Sequence, residues 1–111
     1  MALKRPVIRT AIPKRRYQIA EFSVVILGDI ESDRPYLYIL AVVREGEPEP
    51  FLYITCEEEG GVPVVRVLAE EGEIEIQRSG RFRDLEAFAE FALQGGMQML
   101  QLQDEIPARL L

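Results

Sequence analysis

The chain has 111 residues, of which 48% are apolar and 29% charged, and its formal charge at pH 7 is −6. This composition is that of a globular protein and disfavours wholesale disorder. The longest apolar run is YLYILAVV, far shorter than the ~20 residues of a membrane helix. Because the single cysteine excludes an internal disulfide and fits a reducing compartment, we expect a cytoplasmic protein without a membrane partner.

Charge is divided unevenly along the chain. The first 20 residues hold six basic and no acidic residues, whereas the other 91 hold seven basic and 19 acidic ones, a balance of −12. Pro6 and Pro13 disfavour helix, so we predict an extended basic N-terminal arm over residues 1–16 and a single domain over 17–111. The stretch VIRTAI (7–12) is rich in β-branched residues, and we expect it to be ordered against a sheet edge.

Five strands are predicted after the arm. Each is rich in Val, Ile, Tyr and Phe, and Gly, Pro, Asp and Glu cluster between them. The connections are too short for helical crossovers, so the strands should form an antiparallel meander. The predicted strands are 17–28, 36–44, 51–57, 62–70 and 73–78.

The apolar spacing changes to that of a helix in FRDLEAFAEFALQGGMQML (82–100). Asp84 is a candidate N-cap or first-turn acid, and Gly95-Gly96 could kink the helix, end it or allow close packing on the sheet. The expected fold is therefore α+β: a meander of four to five strands followed by one long C-terminal helix that packs on one sheet face.

Residue types that carry chemistry are scarce. The chain has no histidine, which removes the commonest general base and metal ligand. Cys56 precedes three glutamates, whose charge disfavours the thiolate, and is better explained as a small buried strand residue. Asp29, Glu31 and Asp33 alternate as in a calcium loop, but the glycine and glutamate that an EF-hand needs further on are missing. We therefore expect no enzyme, no cofactor and no metal site.

Two near copies, PYLYI (35–39) and PFLYI (50–54), lie on consecutive predicted strands. Strand alternation predicts that the two aromatic residues of each copy share a face, so four aromatic rings could form one patch. Exposed aromatic rings beside basic residues are typical of platforms on which single-stranded nucleic acid stacks. The candidate binding residues are Tyr36, Tyr38, Phe51 and Tyr53, with Arg15 and Arg16 of the arm.

Strands 17–28, 36–44 and 51–57 are apolar on both faces, and one helix can cover only one face. The other face requires the arm, curvature of the sheet or a second subunit, and a two-fold dimer is the commonest assembly of soluble chains. We therefore predict a small non-enzymatic interaction module, homodimeric, that binds a protein or small ligand. The alternative is a single-stranded nucleic-acid-binding protein, although the acidic body would repel phosphates. No sequence motif supports a third interpretation, an enzyme that uses carboxylates in an inter-strand pocket.

Overall fold

Seven strands and one helix make up the computed structural model, which describes residues 3–111. The helix, α1, spans Leu85–Met99 and follows a short 3-10 turn at Gly80–Arg83. The α+β class is confirmed. The strands are β1 (Thr10–Ile19), β2 (Phe22–Glu31), β3 (Tyr36–Arg44), β4 (Leu52–Glu59), β5 (Val62–Ala69), β6 (Gly72–Arg78) and β7 (Ala108–Arg109).

All seven strands belong to one antiparallel sheet, in the order β6-β5-β4-β3-β2-β1-β7. The predicted meander is therefore confirmed for β1 to β6, but the predicted count of four to five strands is wrong. The two additional strands come from the arm, which supplies most of β1, and from the C-terminal segment, which pairs with β1 as β7. Strand β1 runs through position 16, where the arm was expected to end; Met1 and Ala2 lie outside the described residues.

The strand predicted over 17–28 is in fact the end of one strand and the start of the next. Ile19 pairs with Phe22, so the chain reverses over only two residues, Ala20 and Glu21. Ala20 has φ +50°, the conformation that a tight hairpin turn needs and that glycine or asparagine normally supplies. Because an alanine occupies this position, the sequence carries no turn signal there.

Helix α1 covers one face of the sheet. Asp84 is its N-cap and accepts a hydrogen bond from the backbone N–H of Ala87 at 3.0 Å. The helix continues through Gly95-Gly96 without ending there. A Cβ built on Gly96 would lie 3.8 Å from Ile54 Cδ1, an ordinary van der Waals contact, so the packing on β4 does not require a glycine at this position. Phe88, Ala89 and Ala92 are buried against the apolar residues of β2 to β5.

The second face of the sheet is also buried, although no helix lies on it. Ile39, Val64 and Leu68 point to this face and are at most 4% exposed. Residues 3–9 run across this face. At one point the carbonyl of Val7 accepts a hydrogen bond from Ser32, and further along the guanidinium of Arg5 donates a hydrogen bond to the hydroxyl of Tyr53. The arm, one of the three covers that the sequence left open for this face, therefore lies over it. The need to cover this face no longer supports a homodimer.

Replacement of Ala20 by glycine should stabilise the protein by about 0.5–1 kcal/mol, because glycine adopts positive φ without the steric cost of a Cβ. Urea unfolding of the wild-type chain and of the Ala20→Gly variant measures the difference in their free energies of unfolding. Ala11, which lies in β1, the strand just before this turn, and has no positive φ, provides the control, and Ala11→Gly should destabilise the protein. Equal effects of the two substitutions would contradict the role assigned to the turn.

Candidate interaction surface

Tyr36 lies on the second face, opposite Glu57, and is 8% exposed. Arg34 lies with its guanidinium carbon 5.6 Å from the Tyr36 ring centroid and donates two hydrogen bonds to Glu57, at 2.8 and 3.0 Å. Burial raises the pKa of the Tyr36 hydroxyl, and the bond to Glu57 raises the pKa of Arg34. This ring is packed under an ion pair and presents little surface for stacking.

Tyr38 lies on the opposite, helix-covered face, which contradicts the prediction from alternation. The register shifts between Tyr36 and Tyr38, so Leu37 is an extra residue, a β-bulge that turns the next side chain to the other face. The Tyr38 ring stacks on Phe88 at a centroid distance of 5.4 Å, and its hydroxyl donates to the carbonyl of Arg83 at 2.8 Å. Tyr38 therefore fastens the start of α1 to the sheet.

Phe51 and Tyr53 are also on opposite faces. Phe51 precedes the first residue of β4 and packs against the helix-side core, with its ring centroid 5.8 Å from that of Phe22. Tyr53 lies on the second face, where its hydroxyl accepts a hydrogen bond from Arg5 at 3.0 Å. The four predicted aromatic residues therefore do not form one platform.

The basic arm is held by acids of the same chain. Arg9 pairs with Asp33 at 2.6 Å, Lys14 pairs with Asp29 at 2.6 Å, and Arg15 is bound by Glu86 of α1. Of the six basic residues in the first 20, only Arg16 has no ion pair within residues 3–111. The remaining ion pairs of the arm, besides those of Arg9, Lys14 and Arg15, join Lys4 to Glu73 and Arg5 to Glu49.

Arg66 is the centre of a second group of charges on the arm-covered face. Its guanidinium is bound by Glu59 and lies 3.5 Å from Glu57, and the side chain is 15% exposed. Glu73 and Glu75 lie at 3.9 and 4.0 Å. These acids are balanced by Arg34, Arg78 and Lys4 as well, so the cluster is compensated within the chain.

Cys56 is fully buried on the helix-covered face, and its thiol donates a weak hydrogen bond to the carbonyl of Phe82 at 3.7 Å. Burial, with the charge of Glu58 as a smaller cause, raises the pKa of this thiol to about 12. Within residues 3–111, no three side chains of the metal-binding types stand close enough to share an ion. In the same range, no helix is long and apolar enough to cross a membrane.

An apolar groove remains on the helix side of the sheet, beside the outermost strand. All seven residues of β6 are exposed, and its outer edge pairs with no other strand in the described chain. Ile74, Ile76 and Met99 are 64%, 39% and 47% exposed and line a groove of about 370 Å³. We name Ile74, Ile76 and Met99, together with the outer edge of β6, the β6 surface.

No known protein family, characterised protein or solved structure matches this chain significantly. The function is therefore inferred from the residues of the chain alone. Among its surfaces, the β6 surface combines large exposed apolar side chains with unpaired backbone groups, a combination typical of protein-binding sites.

Sequence reasoning did not single out Ile74, Ile76 or Met99. The signal was present in EIEIQ, where alternation gives the strand apolar side chains that need cover. The main sheet contacts of helix α1 are with β3 and β4, in the middle of the sheet, so the outer strand β6 stays uncovered. The position of β6 at the edge became known only from the sheet order.

Cys56 should be inert in the folded protein, because burial and the raised pKa leave almost no accessible thiolate near neutral pH. We expect a disulfide reagent such as dithiobis-nitrobenzoate to modify Cys56 at least about 100-fold more slowly at pH 8 in buffer than in urea. The absorbance of the coloured thiol that the reagent releases measures both rates. Comparable rates in the two conditions would contradict the buried position.

Removal of residues 3–9 should lower the free energy of unfolding by about 2–4 kcal/mol, because it exposes Ile39, Val64 and Leu68 to water. Urea unfolding measures the loss. As a control, Lys4→Gln with Arg5→Gln removes two exposed ion pairs while keeping the apolar cover, and should cost at most about 1 kcal/mol. An unchanged unfolding midpoint after truncation would show that the arm does not cover this face.

Proposed function

We propose that the chain is a small, non-enzymatic protein-interaction module that binds an extended protein segment at the β6 surface. The observation that supports this most directly is the exposure of Ile74, Ile76 and Met99 beside an edge strand that no described segment pairs with. An added strand would satisfy the outer N–H and C=O groups of β6, and its alternate side chains would enter the apolar groove.

The opposite edge of the sheet gives a useful contrast. There the short strand β7 pairs with β1, and the backbone of Leu110 and Leu111 extends the contact to Arg16. The chain thus covers part of one edge and leaves the other without a partner strand. Native proteins usually protect edge strands, so an uncovered edge with apolar neighbours favours a binding role.

Nucleic-acid binding remains the alternative, but its two supports are weaker than the sequence suggested. Five of the six basic residues of the arm region are engaged by acids of the chain, and the aromatic rings lie on different faces. A phosphate backbone would have to displace these carboxylates and approach an acidic body. No feature of the described residues favours this alternative over the β6 surface.

The proposal predicts that an extended peptide of alternating valine and lysine, KVKVKVK, binds at β6. Lysine is chosen because Glu70 and Glu71, beside this strand, have no ion pair within residues 3–111 and would attract it. In backbone amide NMR at low protein concentration, we expect shifts on β6 and around Met99 and a Kd below about 1 mM.

The matched control is the Ile74→Lys variant, which should lose the shifts, against Ile12→Lys at an exposed position of β1, which should keep them. A glutamate peptide of the same pattern should bind more weakly. If KVKVKVK produces no shifts, or shifts that spread away from β6, the β6 surface does not bind extended segments in the way proposed.

A further inference from the structure

We infer that the occupant of the β6 surface is a second copy of this chain, whose β6 pairs antiparallel with the first across a two-fold axis near Glu75. This inference rests on the proposed function and names its partner. A two-fold interface uses the same patch on both copies, so the patch must be complementary to itself. Strand β6 meets this condition in both its apolar and its charged residues.

The apolar side chains match when the axis passes through Glu75. Antiparallel pairing about this residue brings Ile74 of each copy beside Ile76 of the other, because the two positions are equally far from the axis. Ile76 is the extra residue of a bulge in β6, since Glu75 and Gln77 pair with consecutive residues of β5, but it lines the same groove as Ile74. Both side chains line the same groove with Met99, so the two grooves become continuous. Cross-strand pairs of β-branched residues stabilise sheets.

Charge is complementary end to end. Glu70, Glu71 and Glu73 lie at the start of the strand, and Arg78 is its last residue. The same axis brings Arg78 to the start of β6 of the second copy, beside Glu71 and Glu73. Because of the bulge at Ile76, the Arg78 side chain lies on the arm-covered face, which is also the face of Glu73. Arg78 uses Nε and Nη2 for its bonds to Glu75, at 2.8 and 2.6 Å, so Nη1 is left for a carboxylate of the second copy.

The two glutamates on the axis do not prevent this arrangement. Glu75 faces Glu75 of the second copy, and like charges directly opposite each other destabilise a sheet. Each carboxylate, however, is held by the guanidinium of its own Arg78, which also lowers its pKa and partly neutralises its charge. The Glu75–Arg78 pair therefore makes a self-facing edge tolerable.

Sedimentation equilibrium tests whether the chain associates with a second copy of itself. We expect the wild-type chain to pass from monomer to dimer between about 10 µM and 1 mM, and Ile74→Lys to remain monomeric. Glu71→Arg and Arg78→Glu should each weaken self-association at least tenfold, because each places like charges opposite one another. A wild-type chain that is monomeric at the highest concentration overturns the inference.

A mixture of the two charge variants, Glu71→Arg and Arg78→Glu, tests the antiparallel geometry. In a heterodimer, the arginine introduced at position 71 of one chain meets the glutamate introduced at position 78 of the other, and the native Glu71 and Arg78 meet at the other end. We therefore expect the equimolar mixture to dimerise at least tenfold more tightly than either variant alone. A mixture that associates no better than its components overturns the proposed pairing.

A cysteine on the axis gives a direct measurement. Glu75→Cys should form a disulfide-linked dimer with oxidised glutathione, since residues directly opposite in a sheet have Cα atoms within disulfide range. Cys56 is buried and should not compete. Ile12→Cys, exposed in β1, should stay monomeric under the same conditions, and a dimer that forms equally with both variants contradicts the axis.

The inference and the proposed function fail in different ways. If the wild-type chain is monomeric and KVKVKVK still shifts the β6 amides, the second copy is wrong and the interaction module stands. If neither the peptide nor a second copy binds at β6, both fail. A dimer that Ile74→Lys and the charge variants leave intact overturns the second-copy interface at β6.

Discussion

The structure depends on one constraint: its sheet is apolar on both faces, but the chain contains only one helix of 15 residues within the part that the structure describes. Burial of apolar surface is the main source of stability in a domain of this size, so neither face can be left to water. Helix α1 covers one face through Phe88 and its neighbours, and residues 3–9 cross the other. The basic charge of the arm follows from this arrangement, because an extended strap on an acidic sheet is held where carboxylates can pair with it. Three basic residues of this segment, Lys4, Arg5 and Arg9, pair in this way. Exposed pairs are individually weak, so their main effect is to fix where residues 3–9 lie.

Most of the fold could be predicted from local patterns, and its errors have local physical causes. Strand β3 has the predicted bounds, and the hairpin between β4 and β5 carries its signal in Gly60 and Gly61, both with positive φ. The hairpin at Ala20 has no such residue, so two strands were predicted as one. Strand β7 pairs through two residues with a strand some 90 positions away, a long-range contact that has no periodicity of its own.

The candidate site was less predictable than the fold, because it depends on quantities that a single sequence does not contain. Alternation placed Tyr36 and Tyr38 together, but one bulge residue, Leu37, separates them onto two faces. Bulges depend on strand pairing and have no reliable sequence signature. The exposed residues Ile74 and Ile76 needed the strand order, since the same pattern in a central strand would be core.

The two edges of the sheet show how the chain balances protection against binding. At β6 the protective features are charged residues and a shift in register near Ile76, both of which discourage indiscriminate pairing with other strands. These features do not discourage every partner equally. A strand with acids at its start and Arg78 at its end repels parallel copies of itself and attracts antiparallel ones, since only the latter place opposite charges together. The charges that guard this edge thus also select the orientation of the partner, while Ile74 and Ile76 supply apolar area for the contact.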